Sequence, residues 1–477
     1  LKSKANNSSQ FVRRSLTVLA LYLVSVFQYL VCMLPVSAES LDNADQQQAD
    51  ISKIEHITNA LVEKELEMLN LDTRFRLESS KSKKWKPWRV FAYRLAGSSL
   101  TEAGMTTLAV SRWKYYQHPQ QAPQNLLEAG PICNVTAASI VIGGTLTEAV
   151  LDQLHDHKLK QSGLDIKSGL HRFLELRSQV DGMLLERSSL VRKSSMSDLQ
   201  KQIVEADGDI VSDIRDLACV QFANYYMKSQ KAKVTRDTGT VLTLAGAATG
   251  GYLGSLNSLL AVTNHNPQGA GVAGIGFIVS GAIVALTPLL VGAAGKISSH
   301  ITEHKLQQVL GNLNTKTTEA FEADRQRLSD LIAKTDKSEL ALFNGLSTRT
   351  SAYELQTAIF ENQIEVAQKQ AQRQDRSLRE RLVFSSLVGG SNLARGVQLE
   401  LAGFKYDNSP SQAFLLTATA STTYMAGAGI WVLNTLQDRV RAEMLKRKTQ
   451  GAQLSVKAKL EQRLSDIEEV EDAVSLY

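Results

Sequence analysis

Residues 238–295 run without an Asp, Glu, Lys or Arg, in a chain of which 21% of residues are charged. Two apolar runs flank the turn-forming stretch TNHNPQG (263–269). Each is at least as long as the ~20 residues needed to cross a hydrocarbon layer, so the pattern predicts a membrane hairpin. A second uncharged run extends from Asn408 to Gln437 and a third from Ala129 to Thr147. Each has a more polar companion just before it, RVFAYRLAGSSLTEAGMTTLAVSRW (89–113) and LVFSSLVGGSNLARGVQLELAGF (382–404).

The intervening segments are polar and helically patterned. Leu170, Phe173, Leu174, Arg177, Val180 and Leu184 form an i, i+3, i+4 stripe. No proline falls in 152–237, 297–381 or 437–477, as uninterrupted helices require. A hairpin returns the chain to the side it left, so each long segment rises and comes back as two antiparallel helices of ~40 residues, roughly 60 Å. KSSMSD (193–198) and KTDKSE (334–339) are the expected tips, and 39–88 is expected to pair with 437–477.

Short internal matches support a threefold repeat. Leu95-Ala96-Gly97, Leu244-Ala245-Gly246 and Leu387-Val388-Gly389 recur at spacings of 149 and 143, and HDHKLKQ at 155 matches TEHKLQQ at 302. The expected fold is all-α and polytopic: three apolar helical hairpins, about six transmembrane helices, and a long antiparallel helical or coiled-coil stalk. Its parts are a signal peptide or anchor helix (1–38), a polar helical segment (39–88), hairpin one (89–151), a stalk hairpin (152–237), hairpin two (238–296), a second stalk hairpin (297–381), hairpin three (382–436) and a C-terminal stalk helix (437–477). Pro119, Pro123 and Pro131, then Pro267, then Pro410 are assigned to the three hairpin turns, with Pro288 inside a span. Trp85, Trp88, Trp113 and Trp431 sit at or near expected membrane edges, where an amphipathic ring is favoured.

The N-terminal part adds direction. Two arginines, an apolar run from Leu16 to about Val36 and the small residues Ser37 and Ala38 form a secretory signal pattern, which either is cleaved or stays as an anchor. Cleavage after Ala38 removes Cys32 and leaves Cys133 and Cys219, whose pairing the spacing does not decide. A net charge of +5 is mild for 477 residues, and the basic residues sit in short clusters, so no nucleic-acid partner is expected. KSKKWKPWR (81–89), KSQKAKVTR (228–236) and RVRAEMLKRK (439–448) border the spans and suit anionic lipid headgroups. Those clusters favour a cytoplasmic stalk, whereas the signal pattern sends it to the exported (periplasmic, lumenal or extracellular) side. Long connecting segments are exported largely regardless of charge, so the exported side is preferred.

Candidate functional residues fall into two groups. Gly246, Gly250 and Gly254, then Val272, Gly276 and Ser280, and then Gly281 and Ala285, give small faces over which membrane helices approach closely, either within the chain or between chains. Arg94, Glu102, Arg395 and Glu400 are ionisable residues inside the companion segments, which either line a polar path or lie near an interface. His155 and His157, and His300 and His304, follow equivalent apolar segments, with Asp152 and Asp156 on one helix face. Two histidines without a third ligand make no metal site. GAGVAGIG (269–276) opens an uncharged helix and follows no strand, and no P-loop, GxSxG, HExxH or CxxC pair occurs, so neither an enzyme nor a cofactor is expected.

The expected function is therefore an integral-membrane structural or assembly subunit. It binds lipid, meets protein partners through the stalk, and forms a homo-oligomer or joins a larger complex. The alternatives are a channel, transporter or secretion-machinery conduit, and a secreted α-helical pore-forming protein.

Overall fold

In a computed structural model covering residues 38–81, 85–163, 165–310, 318–335, 380–451 and 456–475, every element longer than a turn is helical and no strand occurs among those described residues. The helices are α1 (Ala38–Lys81), α2 (Lys86–Tyr115), α3 (Gln124–Gln161), α4 (Ile166–Lys193), α5 (Asp198–Gly246), α6 (Ser255–Thr263), α7 (Pro267–Leu310), α8 (Thr318–Lys334), α9 (380–400), α10 (Pro410–Gly451) and α11 (Val456–Ser475). A π-helical stretch, Ala247–Gly254, joins α5 to α6 without a break, and a second, Leu401–Lys405, extends α9. The apolar run from Leu16 to Val36 and the tip at KTDKSE lie outside the described residues.

Local chemistry explains where the long polar helices start. Asp165 accepts from the backbone N–H of Lys167 and Ser168 and opens α4. Ser197 and Gln200 form a reciprocal capping box that opens α5, so the chain turns at Ser194–Ser197 within KSSMSD. In the polar half, α1 packs on α4, α5 and α11, while α5 also meets α4 and α8. Its core resembles that of a water-soluble bundle. Phe173 stacks on Phe222 with centroids 4.2 Å apart, Phe75 lies 6.2 Å from Phe222, and Ile210, Ile214 and Leu61 are fully enclosed farther along the same core. The foot of α7 joins this half through Leu306 and Leu310, which pack with Ala223 of α5.

The apolar half is a ring of six antiparallel legs in sequence order. Helix α2 packs on α3; α3 packs on α6 and its π stretch; these pack on α7. Glycine contacts join α7 to α9, the ring of Tyr424 in α10 lies against Arg395 of α9, and α10 packs back on α2. Among the described residues two legs, α3 and α7, are long and apolar enough by composition to cross a membrane. The other four are diluted by identifiable features: Arg94, Glu102 and Arg112 in α2, the π stretch between α5 and α6, Arg395 and Glu400 in α9, and the many Ser and Thr of α10.

One turn assignment is corrected. The first hairpin turn spans 116–123 with a 3₁₀ turn at Pro119–Gln121, and Pro131 lies inside α3, buried, with Pro123 directly before the helix. Pro at the N-cap fits a helix start, whereas Pro131 leaves the Leu127 carbonyl without its helical N–H and crowds it, a cost borne where α3 packs tightly against α2. The second turn falls at 264–266, with His265 in the left-handed region (φ 51°) and Pro267 as the first residue of α7.

Candidate functional site: the apolar ring and its buried charges

The outer surface changes character between the two halves. In α1, α4, α8, α11 and the polar part of α5, the single large apolar side chain left exposed among the described residues is Leu185, at 72%. The ring, in contrast, exposes Ile132, Val150, Leu253, Val272, Val279, Leu289, Leu401, Leu415 and Leu433, among others, on every leg. Patches of that extent face another apolar phase or a partner in folded proteins. Trp88 and Trp113, both partly exposed, lie 25 residues apart on α2, about 37 Å of helix, which matches a ~30 Å hydrocarbon core and part of its interfaces.

Small residues supply the contacts inside the ring. Gly246 faces Ser280, Ile283 and Val284; Gly250 faces Ser280 and Phe277; Gly254 faces Phe277 and the Ala273 carbonyl. The Ser280 hydroxyl donates to the Gly246 carbonyl at 2.9 Å. In an α-helix a four-residue repeat drifts by about 40° per step. The wider π turn at Ala247–Gly254 offsets that drift and keeps the three glycines against α7, while Gly251 abuts Ala138 of α3 on the other side. Gly276 belongs to the same seam through Gly254 and the Thr249 carbonyl. Gly281 does not: it meets the Gly389 carbonyl and Leu393 of α9. The α7 side of that second seam, Gly281 with Ala285, was legible in the sequence, and its α9 side was missed. Gly389, Gly396 and Gly403 recur every seventh residue and meet Gly281 and Ala285, Gly274 and Ile278, and Gly271 in antiparallel order; the sevenfold spacing was the available signal.

Where the ring meets the stalk, charged residues form a collar. Arg89 grips Glu148 with two hydrogen bonds of 2.5 and 3.1 Å, and Lys86 reaches Asp152 at 2.5 Å. Arg236 lies 3.6 Å from Asp152 and 3.3 Å from Asp156, which also pairs with Lys233 at 3.3 Å. Arg439 sits 3.5 Å over the Trp88 ring. These members of the basic clusters, expected to face headgroups, are therefore engaged within the chain. Asp152 and Asp156 are occupied by cations, and among the described residues no group of three potential ligands converges on a metal-binding geometry.

The four charges of the companion segments are placed differently from one another. Arg94 is exposed on α2, Glu400 is half-buried beside Gly274, and Glu102 is half-buried with its Oε2 enclosed and unbonded, about 4 Å from where a Gly429 side chain would begin. Arg395 is 2% exposed, with its guanidinium 3.6 Å from the Phe277 centroid and 4.2 Å from that of Tyr424. Among the described residues no ion pair joins any two of the four. Arg395 instead neighbours Arg112, a residue that sequence reasoning passed over because it stands beside Trp113 at the end of its segment. Arg112 is 8% exposed and donates to the Thr417 carbonyl at 2.9 Å and the Ser421 hydroxyl at 3.0 Å. Cys133 and Cys219 are both free.

No family model, curated protein or solved structure is detectably similar to this chain.

Proposed function

We propose that this protein is an integral-membrane structural or assembly subunit. In this reading all six legs of the ring span the bilayer and the polar helices project as a stalk from one face, on the exported side. The stalk binds protein partners, and ring surfaces associate laterally with further copies or with other subunits of a larger complex. The observation that carries the reading is the contrast between the polar outer surface of α1, α4, α8, α11 and the polar part of α5 and the apolar outer surface of the ring, which suits a body half in water and half in lipid. An outward stripe of small residues on α3, Thr136, Ser139, Gly143 and Thr147, supports lateral packing; a side chain at Gly143 would meet nothing within 4 Å. Sedimentation equilibrium of the full chain in neutral detergent tests it. Oligomers are expected at micromolar concentration, and a monomer at every accessible concentration contradicts the reading.

A second reading, a conduit, is favoured by the enclosed and unbonded Oε2 of Glu102 and Nη1 of Arg395 inside a closed ring. Neutralising Arg94, Glu102, Arg395 and Glu400 together and measuring ion flux through reconstituted vesicles separates the two. A conduit loses or changes flux, and a structural subunit shows none to lose.

A further inference from the structure

Two arginines share the interior of the ring, and among the described residues neither has an acidic partner. Arg112 comes from α2 and Arg395 from α9, and both reach the same stretch of α10: Arg112 through Thr417 and Ser421, Arg395 through the face of Tyr424, one turn beyond Ser421. Ser421 is 11 residues from the start of α10, so the pair sits ~16 Å along that leg, at the level of Trp113 and toward one end of the apolar belt. Both side chains are more than nine-tenths buried. A guanidinium does not lose its proton in a protein, so both carry charge there.

The charge is incompletely compensated. Among the described residues no carboxylate acts on either group, and the Arg395 charge opposes that of Arg112. With their centroids 6.0 Å apart, Phe277 and Tyr424 lie on adjacent sides of the Arg395 guanidinium rather than on opposite faces, and part of its N–H edge has no partner among the described residues. On that edge Nη1 is buried without an acceptor, as is Nε of Arg112. Two like charges in an apolar interior, each with an unused donor, are costly alone and favourable around a negative ion. The Thr417 carbonyl and the Ser421 hydroxyl of α10 already hold Arg112 through its Nη1, so its guanidinium is fixed before anything binds.

We infer that Arg112 and Arg395 form a binding site for a small inorganic anion inside the ring, bridging α2, α9 and α10. The anion accepts from Arg112 Nε and Arg395 Nη1 and ties the third hairpin to the first. Neither a structural nor a transport role is needed for this site, which follows from the unpaired donors alone.

The test is thermal unfolding of the full chain in neutral detergent, titrated with chloride or inorganic phosphate from a gluconate buffer, with Trp113 fluorescence as a second readout; its indole donates to Thr422, beside Ser421, at 2.8 Å. Saturable stabilisation by chloride or phosphate is expected, with half-saturation weakened at least tenfold in both Arg112→Lys and Arg395→Lys, which keep the charge but lose the forked donors. Arg395→Gln is expected to be at least as stable as the parent in gluconate and to gain nothing from either anion. The inference is overturned if neither anion stabilises the parent, if the Lys variants respond like the parent, or if stabilisation requires anionic lipid added to the micelles.

Discussion

Arg187 and Asp207 illustrate how single residues specify the stalk. Their ion pair, 3.0 Å long and almost fully enclosed, is completed by hydrogen bonds from Arg187 to Thr58 and to the Val204 carbonyl, so it ties α1, α4 and α5 in one register. Asp207→Ala leaves the guanidinium buried with its main partner gone, and is expected to cost about 3–5 kcal/mol in chemical unfolding of the full chain. Glu65 behaves oppositely. Burial holds its carboxyl well above the ordinary 4.5, Arg215 pulls it back, and Asp207 and Asp216 push it further up. The folded state thus keeps this proton to higher pH than the unfolded chain does. The stability linked to that proton is fully present below the unfolded value and is lost as pH rises through the folded one. Glu65→Gln, which stays neutral, is therefore expected to melt higher than the parent at about pH 8 and to match it near pH 4. A parent whose melting temperature does not fall relative to this variant on going from acid to alkaline pH rules out the buried neutral carboxyl. Cys219, pushed by burial to about 12, is expected to resist maleimide until the stalk unfolds.

Among the helices, the seam between α7 and α9 is the most demanding contact. A side-chain carbon at Gly281 would lie 2.7 Å from the Gly389 carbonyl, and one at Gly396 2.7 Å from the Gly274 carbonyl, so backbone rather than a movable side chain stands in the way. Gly281→Leu or Gly396→Leu is expected to cost at least the 1–3 kcal/mol typical of overpacking, read as a lower melting temperature in detergent, whereas Gly390→Ala, with open space around it, stays near the parent. Much of this level was legible in the sequence. Helical periodicity and missing prolines gave the long helices, though not the break between Gln161 and Ile166, KSSMSD gave the first stalk tip, and TNHNPQG gave the second hairpin turn. The π stretches were not legible, because hydrogen bonding over five residues leaves no distinct residue pattern. Nor was the partner of Gly281: α7 carries small residues on two faces, and only the assembled ring decides that one meets α5–α6 and the other α9. Arg112 was hidden for a related reason, since a charge beside an edge tryptophan looks interfacial until its side chain is seen running inward to Ser421.

At the scale of the whole molecule, two bodies of opposite surface share helices α5 and α7, and a collar of ion pairs marks the boundary. The polar body buries its phenylalanines and isoleucines; the ring buries glycine, serine and arginine and turns leucine and valine outward. Such an arrangement is stable where the outer solvent is hydrocarbon, because the seams then need only close packing and satisfied polar groups. Spin labels placed at Val279→Cys, Leu289→Cys and Leu433→Cys on the ring and at Leu185→Cys on the stalk, in protein reconstituted into vesicles, test this most directly. The account predicts that the three ring labels are accessible to oxygen and shielded from a water-soluble nickel chelate, while the stalk label shows the reverse. Ring labels open to the chelate, in protein that stays folded and dispersed without detergent, would contradict it.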